Sequence, residues 1–422
     1  MSTQALGSPV VSGSALRSVN FFNGRLLTGD DLAGEQSALQ ARLQQLGQLT
    51  GAGVAYGLEV RETLGTSTPQ NPVVTVASGL ALSPSGVALW LPSSVDLSLA
   101  GTGATSDSEP GALFAPCQPY APGTYTAGAG VYLLWIGPAS QSNGLAPVNG
   151  LGNQVAPCNV DDYIDTVQFG LIRIALTLDQ LNDTKHLRNL VAYLCFAPDA
   201  LASFVNNPFG PPLTTYGLID TLRSQKSLTD DQLPLAIFGW DIDNGIRFVD
   251  LWSVRRRVIR RAAEDGFAAF AGDRRRAEGE AMFLQFQGAV ADLRSGPSPQ
   301  TIAATSCFDF LPPAGLVPIA ADLPGFFTTT FFAGLKTRGP FFVEGPRVAP
   351  LLRASFDYPP IDPSTQELIW LYEVRDNRDP SVSGPGADRP YVLFTHGLLP
   401  YAANAQYDLS HYDYASYALR VY

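Results

Sequence analysis

Apolar residues recur along this chain with two different periods. Between Thr28 and Gly51, Leu32, Leu39, Leu43 and Leu46 are separated by Glu35, Gln40, Arg42 and Gln44. Residues three, four or seven apart share one face of a helix, so the spacing predicts an amphipathic helix. Thr28 suits the N-cap, and Asp30 and Asp31 lie in the first turn, where the helix dipole favours carboxylates. Gly47 and Gly51 supply stops. Ahead of the helix, Val19–Leu27 is apolar and broken by a turn at Asn23-Gly24. After it the period shortens. Val54–Val60, Val73–Ala77 and Val87–Leu91 read as strands, the third following a turn at Pro84-Ser85-Gly86. A helix followed by a β meander is expected.

Further along, 101–130 is Gly, Ala, Ser and Pro without a period and is expected to be a long ordered loop. Strands are expected at Val131–Ile136 and Phe169–Thr177, with a second loop over 138–160 between them. Leu178–Asn207 reads as helical or mixed and is broken by Pro208–Pro212. Leu233–Trp240 and Gly245–Asp250, joined by Asp241–Asn244, carry the signature of a β-hairpin. A helix is expected over Leu251–Asp265, with Trp252, Ile259 and Ala263 on one side and Arg255, Arg256, Arg257, Arg260 and Arg261 filling much of the rest. A second spans Arg274–Leu293, with Met282, Phe283, Phe286 and Val290. Gly296-Pro297-Ser298-Pro299 marks a boundary. Phe308–Pro318 is apolar but Pro-studded, which suits an extended packing segment and not a central strand. Phe pairs at 326–327, 331–332 and 341–342 precede strands at Leu368–Val374 and Tyr391–Thr395, and the chain ends in the Tyr-rich Tyr407–Tyr422.

The expected fold is therefore α+β and mainly β. A short N-terminal helix with a β meander leads into a central mixed and helical region, then a C-terminal β-rich region with long ordered loops. The expected division is a flexible arm at 1–17, a helix-plus-strand module at 18–100 and a loop-rich β region at 101–177. A mixed region with Arg-rich helices comes next at 178–296, and a β-rich region at 297–422.

Composition narrows the chemistry. Only 15% of the 422 residues are charged, against about 25% in an average domain, while Gly 40 and Pro 33 raise the turn formers to about 17%. The net charge of −11 repels a phosphate backbone. Lys185, Lys226 and Lys336 are the only lysines, leaving 24 of the 27 cations as arginine. Across 255–280, eight arginines are interleaved with Glu264, Asp265, Asp273, Glu278 and Glu280. That alternation suits a solvated face or an acidic protein partner better than nucleic acid. Met1–Arg17 lacks the apolar core of a signal peptide, and no run reaches the ~18 apolar residues of a membrane span. Assembly in the cytoplasm without a signal peptide is expected, with release or envelope association following as part of a larger particle.

No HExxH, Gly-x-Ser-x-Gly, Gly-Lys-Ser/Thr loop or GxGxxG occurs, so the motif-bearing zinc proteases, hydrolase elbows and nucleotide cradles are absent. His186, His396 and His411 read as structural. No catalytic, cofactor-binding or metal-binding residue is assigned, and no cofactor is expected. Cys117 and Cys158 both follow Ala-Pro in loops; a bridge, half a metal site and inert packing all stay open. Carboxylate pairs at Asp161/Asp162 and Asp357/Asp362 leave a cell-wall hydrolase as a minor alternative. The C-terminal tyrosines suit a half-buried strand or a protein interface, with sugar stacking as the alternative.

Three segments resemble a known group. Phe21–Leu32 (Phe-Phe-Asn-Gly-Arg-Leu-Leu-Thr-Gly-Asp-Asp-Leu), with Glu35-Gln36 and Gly51–Val60, is similar to an N-terminal module of bacterial proteins often encoded beside phage-tail-like contractile injection systems. Asp231–Ala236, Gly245–Val254 and Arg255-Arg256-Arg257 look like the middle of the same proteins, and Tyr407–Ala415 is similar to their ends. The resemblance implies a structural, non-catalytic component at or near a baseplate. Its partners would be baseplate, tube or sheath proteins, with several copies in a symmetric assembly and neither nucleic acid nor a membrane span. The candidate interface residues are Phe21, Phe22, Arg25, Trp252, Arg255, Arg256, Tyr412, Tyr414, Tyr417 and Tyr422. A carbohydrate- or receptor-binding module on a particle or fibre is the alternative.

Overall fold

Thr28 begins α1 (Gly29–Thr50) through a reciprocal capping box. Its hydroxyl accepts from the Asp31 N–H at 3.2 Å, while the Asp31 carboxylate accepts from the Thr28 N–H at 3.1 Å. In the computed structural model the described residues are 16, 18–99, 129–147, 158–196, 217–259, 273–319, 325–375 and 391–397. After α1 come six short strands, β1 (Gly53–Gly57), β2 (Val60–Glu62), β3 (Val73–Val76), β4 (Gly79–Leu82), β5 (Ala88–Leu91) and β6 (Val95–Ser98).

The strand expected over Val54–Val60 is split in two. Gly57 and Leu58 both take positive φ, and the chain turns a corner there: β1 joins the sheet β1-β4-β5, while β2 joins β2-β3-β6. The expected meander is thus two interleaved antiparallel sheets.

The expected hairpin is present. β9 (Leu233–Asp241) pairs with β10 (Gly245–Asp250), and β9 also pairs with β7 (Gly130–Pro147), which pairs with β8 (Cys158–Ile174). Alternation along β7 explains why this sheet is covered twice. Tyr132, Leu134 and Ile136 face the β1–β6 sheets, with Val54, Leu89, Leu235 and Phe238. Val131 and Leu133 face the other way, onto α3 (Leu187–Phe196) through Leu187, Val191 and Cys195, and onto Leu222 of α4 (Gly217–Ser224). The single turn α2 (Leu178–Asn182) precedes α3.

Two expectations fail in this region. Most of the expected loop over 138–160 is strand: β7 and β8 stay in register from Val131↔Ile174 out to Pro147↔Cys158. Its Ser, Gln, Asn and Gly residues are poor strand formers alone, and the cross-strand ladder supplies what their propensity lacks. The helix expected at Leu251–Asp265 is not formed over 251–259. A turn at 251–254 leads into extended chain that bridges Ala52 and Val54 through Ile259 and Arg257. The arginines there are drawn to backbone carbonyls, which an amphipathic-helix reading does not foresee.

α5 (Asp273–Arg294) forms where expected, and its Phe286, Ala289 and Val290 pack on the sheet β11-β14-β13-β12 through Val317, Ile369, Leu371, Val392 and Phe394. Hydrophobic contact therefore continues across Gly296–Pro299. β11 (Ala314–Pro318) is an edge strand bonded to β14 (Tyr391–Thr395) alone, a position that suits Pro318 at its end. β12 (Lys336–Glu344) and β13 (Leu368–Arg375) run parallel, joined by α6 (Gly345–Ser355). This crossover escapes the sequence pattern because Gly339-Pro340 interrupts the strand and Pro346 and Pro350 sit in the helix. No helix of the described residues is long and apolar enough to cross a membrane.

Candidate protein-interaction surface

α1 carries the most exposed apolar surface of the described chain. Leu32, Leu39, Leu43, Leu46 and Leu49 are 53%, 56%, 57%, 58% and 73% exposed, and Ala38 is the helix's only buried residue. The leucine stripe of the expected amphipathic helix faces solvent. Leu26 and Leu27 extend it beyond the N-terminus, and Phe21 and Phe22 add two exposed rings.

Local chemistry fixes this segment on α1. The Arg25 N–H donates to the Phe22 carbonyl at 3.2 Å and closes the turn over Asn23-Gly24, where Gly24 takes φ +93°. The Arg25 guanidinium bonds the Asn20 carbonyl at 3.0 Å and pairs with Asp31. Hydrogen bonds from Thr28 and the charge of Arg25 together hold the Asp31 carboxyl below its ordinary range. The Val19 N–H donates to Glu35 Oε2 at 3.0 Å. At its other end α1 crosses the turn before β5 backbone to backbone: a Cβ on Gly86 would overlap the Gln44 carbonyl, and Gln48 Nε2 donates to the Ser85 carbonyl at 2.9 Å.

Phe21, Phe22 and Arg25 are thus brought together. Trp252, Arg255 and Arg256 are not part of that surface and lie elsewhere in the fold. Arg255 is buried and donates to the Leu58 carbonyl at 2.9 Å and the Gly57 carbonyl at 2.6 Å, pinning the corner between β1 and β2. Arg256 donates to the carbonyls of Trp252 and Arg255, both at 2.8 Å, and lies over the Phe196 ring. Trp252 packs against Phe196 and Met282 between α3 and α5. Tyr412, Tyr414, Tyr417 and Tyr422 lie outside the described residues, as do Cys117 and His411.

A second exposed feature lies where sequence predicts a loop. β7 pairs with β9 only from Gly130 to Ile136, so beyond Gly137 β7 and β8 continue as a ribbon with no further strand on either edge among the described residues. Ten residues of strand reach about 30 Å. Leu145 and Tyr163 stand exposed on it, beside Asp161, Asp162 and Asp165. Adjacent on one strand, Asp161 and Asp162 point to opposite faces. Asp357 instead faces Arg276 at 3.6 Å, and Asp362 accepts from the Ser364 N–H at 2.8 Å as a helix cap.

Several other polar groups are paired within the fold. A cavity of about 560 Å³ lies between α3, α5 and the β9–β10 hairpin, with Lys185, Arg188, Arg247 and Asp292 in its wall. Its arginines are already matched, Arg188 by Asp250 and Asp292 and Arg247 by Asp241. His186 bonds Asp183 at 2.9 Å; burial disfavours its charge, but Asp183 and Asp309 outweigh that and raise its pKa. His396 contacts the Pro359 carbonyl at 3.0 Å and Glu367 at 3.4 Å. Among the described residues no group of three or more His, Cys, Asp or Glu could hold a metal ion. No known family model and no curated protein matches the chain.

Proposed function

We propose that this protein is a structural, non-catalytic subunit of a phage-tail-like contractile injection particle, associated with its baseplate and acting through protein–protein interfaces. The observation that carries the reading is α1. A helix of 22 residues with one buried side chain gains little from packing on its own fold, which is where most of a helix's stability in a protein comes from. Each exposed leucine forgoes about 1.5–3 kcal/mol of transfer free energy until something covers it. A large apolar patch maintained in water by a capping box, an ion pair and a glycine crossing is the mark of a docking surface. The β7–β8 ribbon adds a second, since a two-stranded ribbon with open edges gains stability when a partner pairs or packs against it.

Affinity purification of the tagged full chain from its native host, followed by negative-stain electron microscopy, tests the reading. Sheathed particles should co-purify with the tag clustered at one end. Recovery of the chain with no particles overturns it. Deletion of 1–17 is expected to leave the melting temperature unchanged and reduce incorporation; unchanged incorporation removes the arm from the interface.

A further inference from the structure

The apolar stripe of α1 repeats every seven residues, at Leu32, Leu39 and Leu46, with Leu43 four residues after Leu39 on the same face. Seven residues is the period at which one helix keeps a continuous seam against another. Among the described residues the body of the chain does not supply that second helix. α1 turns Ala38 inward and meets the turn at Gly86 through its last two turns, leaving all four leucines more than half exposed.

Resting on the reading of α1 as a docking surface, we propose that its occupant is α1 of a second copy of this chain, packed antiparallel about a two-fold axis. The order of residues along the helix complements itself. With Leu32, Leu39 and Leu46 as one set of seam positions, Gly29, Gln36, Leu43 and Thr50 form the other. Antiparallel packing sets each against the opposite set. Leu43 then faces Leu32 of the second copy, Leu39 faces Gln36, and Leu46 faces Gly29, whose missing side chain leaves room for it. In this register the flanking positions place Glu35 of each helix against Arg42 of the other, and the two-fold axis makes that attraction twice. Parallel packing would set Glu35 beside Gln40 and Arg42 beside Gly47, with no charge match. Glu35 is partly oriented already: Oε2 accepts from the Val19 N–H, which leaves Oε1 for an arginine. Gln36 sits near the middle of the seam, where one polar residue selects a register at some cost in stability.

The test uses the full chain in analytical ultracentrifugation. A species of about 90 kDa, twice the 45.1 kDa chain, is expected to dissociate on dilution. Leu39→Ser combined with Leu43→Ser, and separately Arg42→Glu, should each weaken self-association by about tenfold or more. Glu35→Arg combined with Arg42→Glu should restore most of what Arg42→Glu loses. Leu39, Leu43 and Arg42 are exposed in the single chain, so circular dichroism of the variants should match the parent. For orientation, Gln36→Cys with Leu39→Cys in one chain should give an intermolecular disulfide above the background of the native cysteines. Either substitution alone should not, and efficient cross-linking by a single substitution indicates parallel helices and overturns the geometry.

A 45.1 kDa species at the highest soluble concentration overturns the proposal; if Leu39→Cys in that species also resists maleimide, a segment of the same chain is the occupant. A monomer that still co-purifies with sheathed particles sinks the self-pairing and leaves the docking function standing. A dimer never found with particles does the reverse.

Discussion

Single residues hold the corners of this fold by satisfying backbone groups that regular structure leaves behind. Leu58 is fully buried with φ 59°, a conformation that costs a leucine about 1–3 kcal/mol, and Arg255 compensates by donating to the carbonyls on either side of the bend. Asp250 plays a similar part between α3 and α5. Its buried carboxylate accepts from Arg188 Nε at 2.8 Å, Gln285 Nε2 at 2.9 Å and the Ser253 N–H at 3.0 Å. Asp250→Ala leaves Arg188 with the exposed Asp292 alone and removes the acceptor of Gln285 and the Ser253 N–H, and should cost about 3–5 kcal/mol in urea unfolding. Burial pushes the Cys195 thiol up to about 12. Cys195 should therefore resist iodoacetamide in the native chain, while the half-exposed Cys307 is alkylated, a difference peptide mass mapping reads directly. His186 sets a pH window. Its folded pKa lies above the ordinary value, so its contribution is complete below about pH 6.5 and is lost as pH rises through the raised value. Asp183, lowered mainly by the His186 hydrogen bond, contributes above about pH 4 and is lost on acidification. Amide protection across 183–190 should be greatest between those limits and fall towards pH 8.

Two helices of equal length show why an element's pattern does not alone decide its environment. α1 and α5 are both 22 residues long. α5 buries Phe286 and Val290 against a sheet, whereas α1 leaves a cleaner leucine stripe in water. What differs is the anchor: α1 is tied at its ends and at the Gly47–Gly86 crossing, where no side chain fits. Gly86→Ala should force the strands of that turn and α1 apart, cost about 1–3 kcal/mol, and raise amide exchange over 42–50 while leaving Val131–Ile136 protected. The β7–β8 ribbon shows the same contrast within one element. Leu133→Ala in its buried half should cost about 2–5 kcal/mol, and Leu145→Ala in its exposed half should stay within about 0.5 kcal/mol.

Over the entire chain, contacts of α3 with α5 and with the segment beyond α5 join the residues before 273 to those after it. Ala192 and Phe196 pack on Ala281 and Met282, Arg274 pairs with Asp220, and Asn189 exchanges two hydrogen bonds with Phe310 at 3.0 and 2.9 Å. These contacts make one cooperative unfolding transition the expectation. Fluorescence of single-tryptophan variants retaining Trp135 or Trp370 should show coincident midpoints, and Asn189→Ala with Phe196→Ala should separate them.

Every element with an uninterrupted local pattern was legible in the amino-acid order alone. The Thr28 cap and leucine repeat of α1, the Asp/Asn/Gly hairpin of β9–β10, the apolar period of α5 and the extended, non-central character of the segment that holds β11 are all local, and local spacing reports them. The Phe21–Arg25 turn was legible for the same reason. Where each apolar face went was settled by tertiary packing. Whether a leucine stripe is core or surface depends on what long-range contacts bring beside it, and for α1 that is a glycine turn instead of a sheet. The fate of Arg255 and Arg256 was equally non-local. An arginine run reads as a charged face until the chain folds carbonyls of residues 57 and 58 within reach of residue 255, a contact across 198 positions. The ribbon at 138–160 and the parallel β12–β13 crossover also depended on partners supplied from elsewhere. Their own residues carry weak or contrary propensities, and hydrogen bonds to distant strands overrode them.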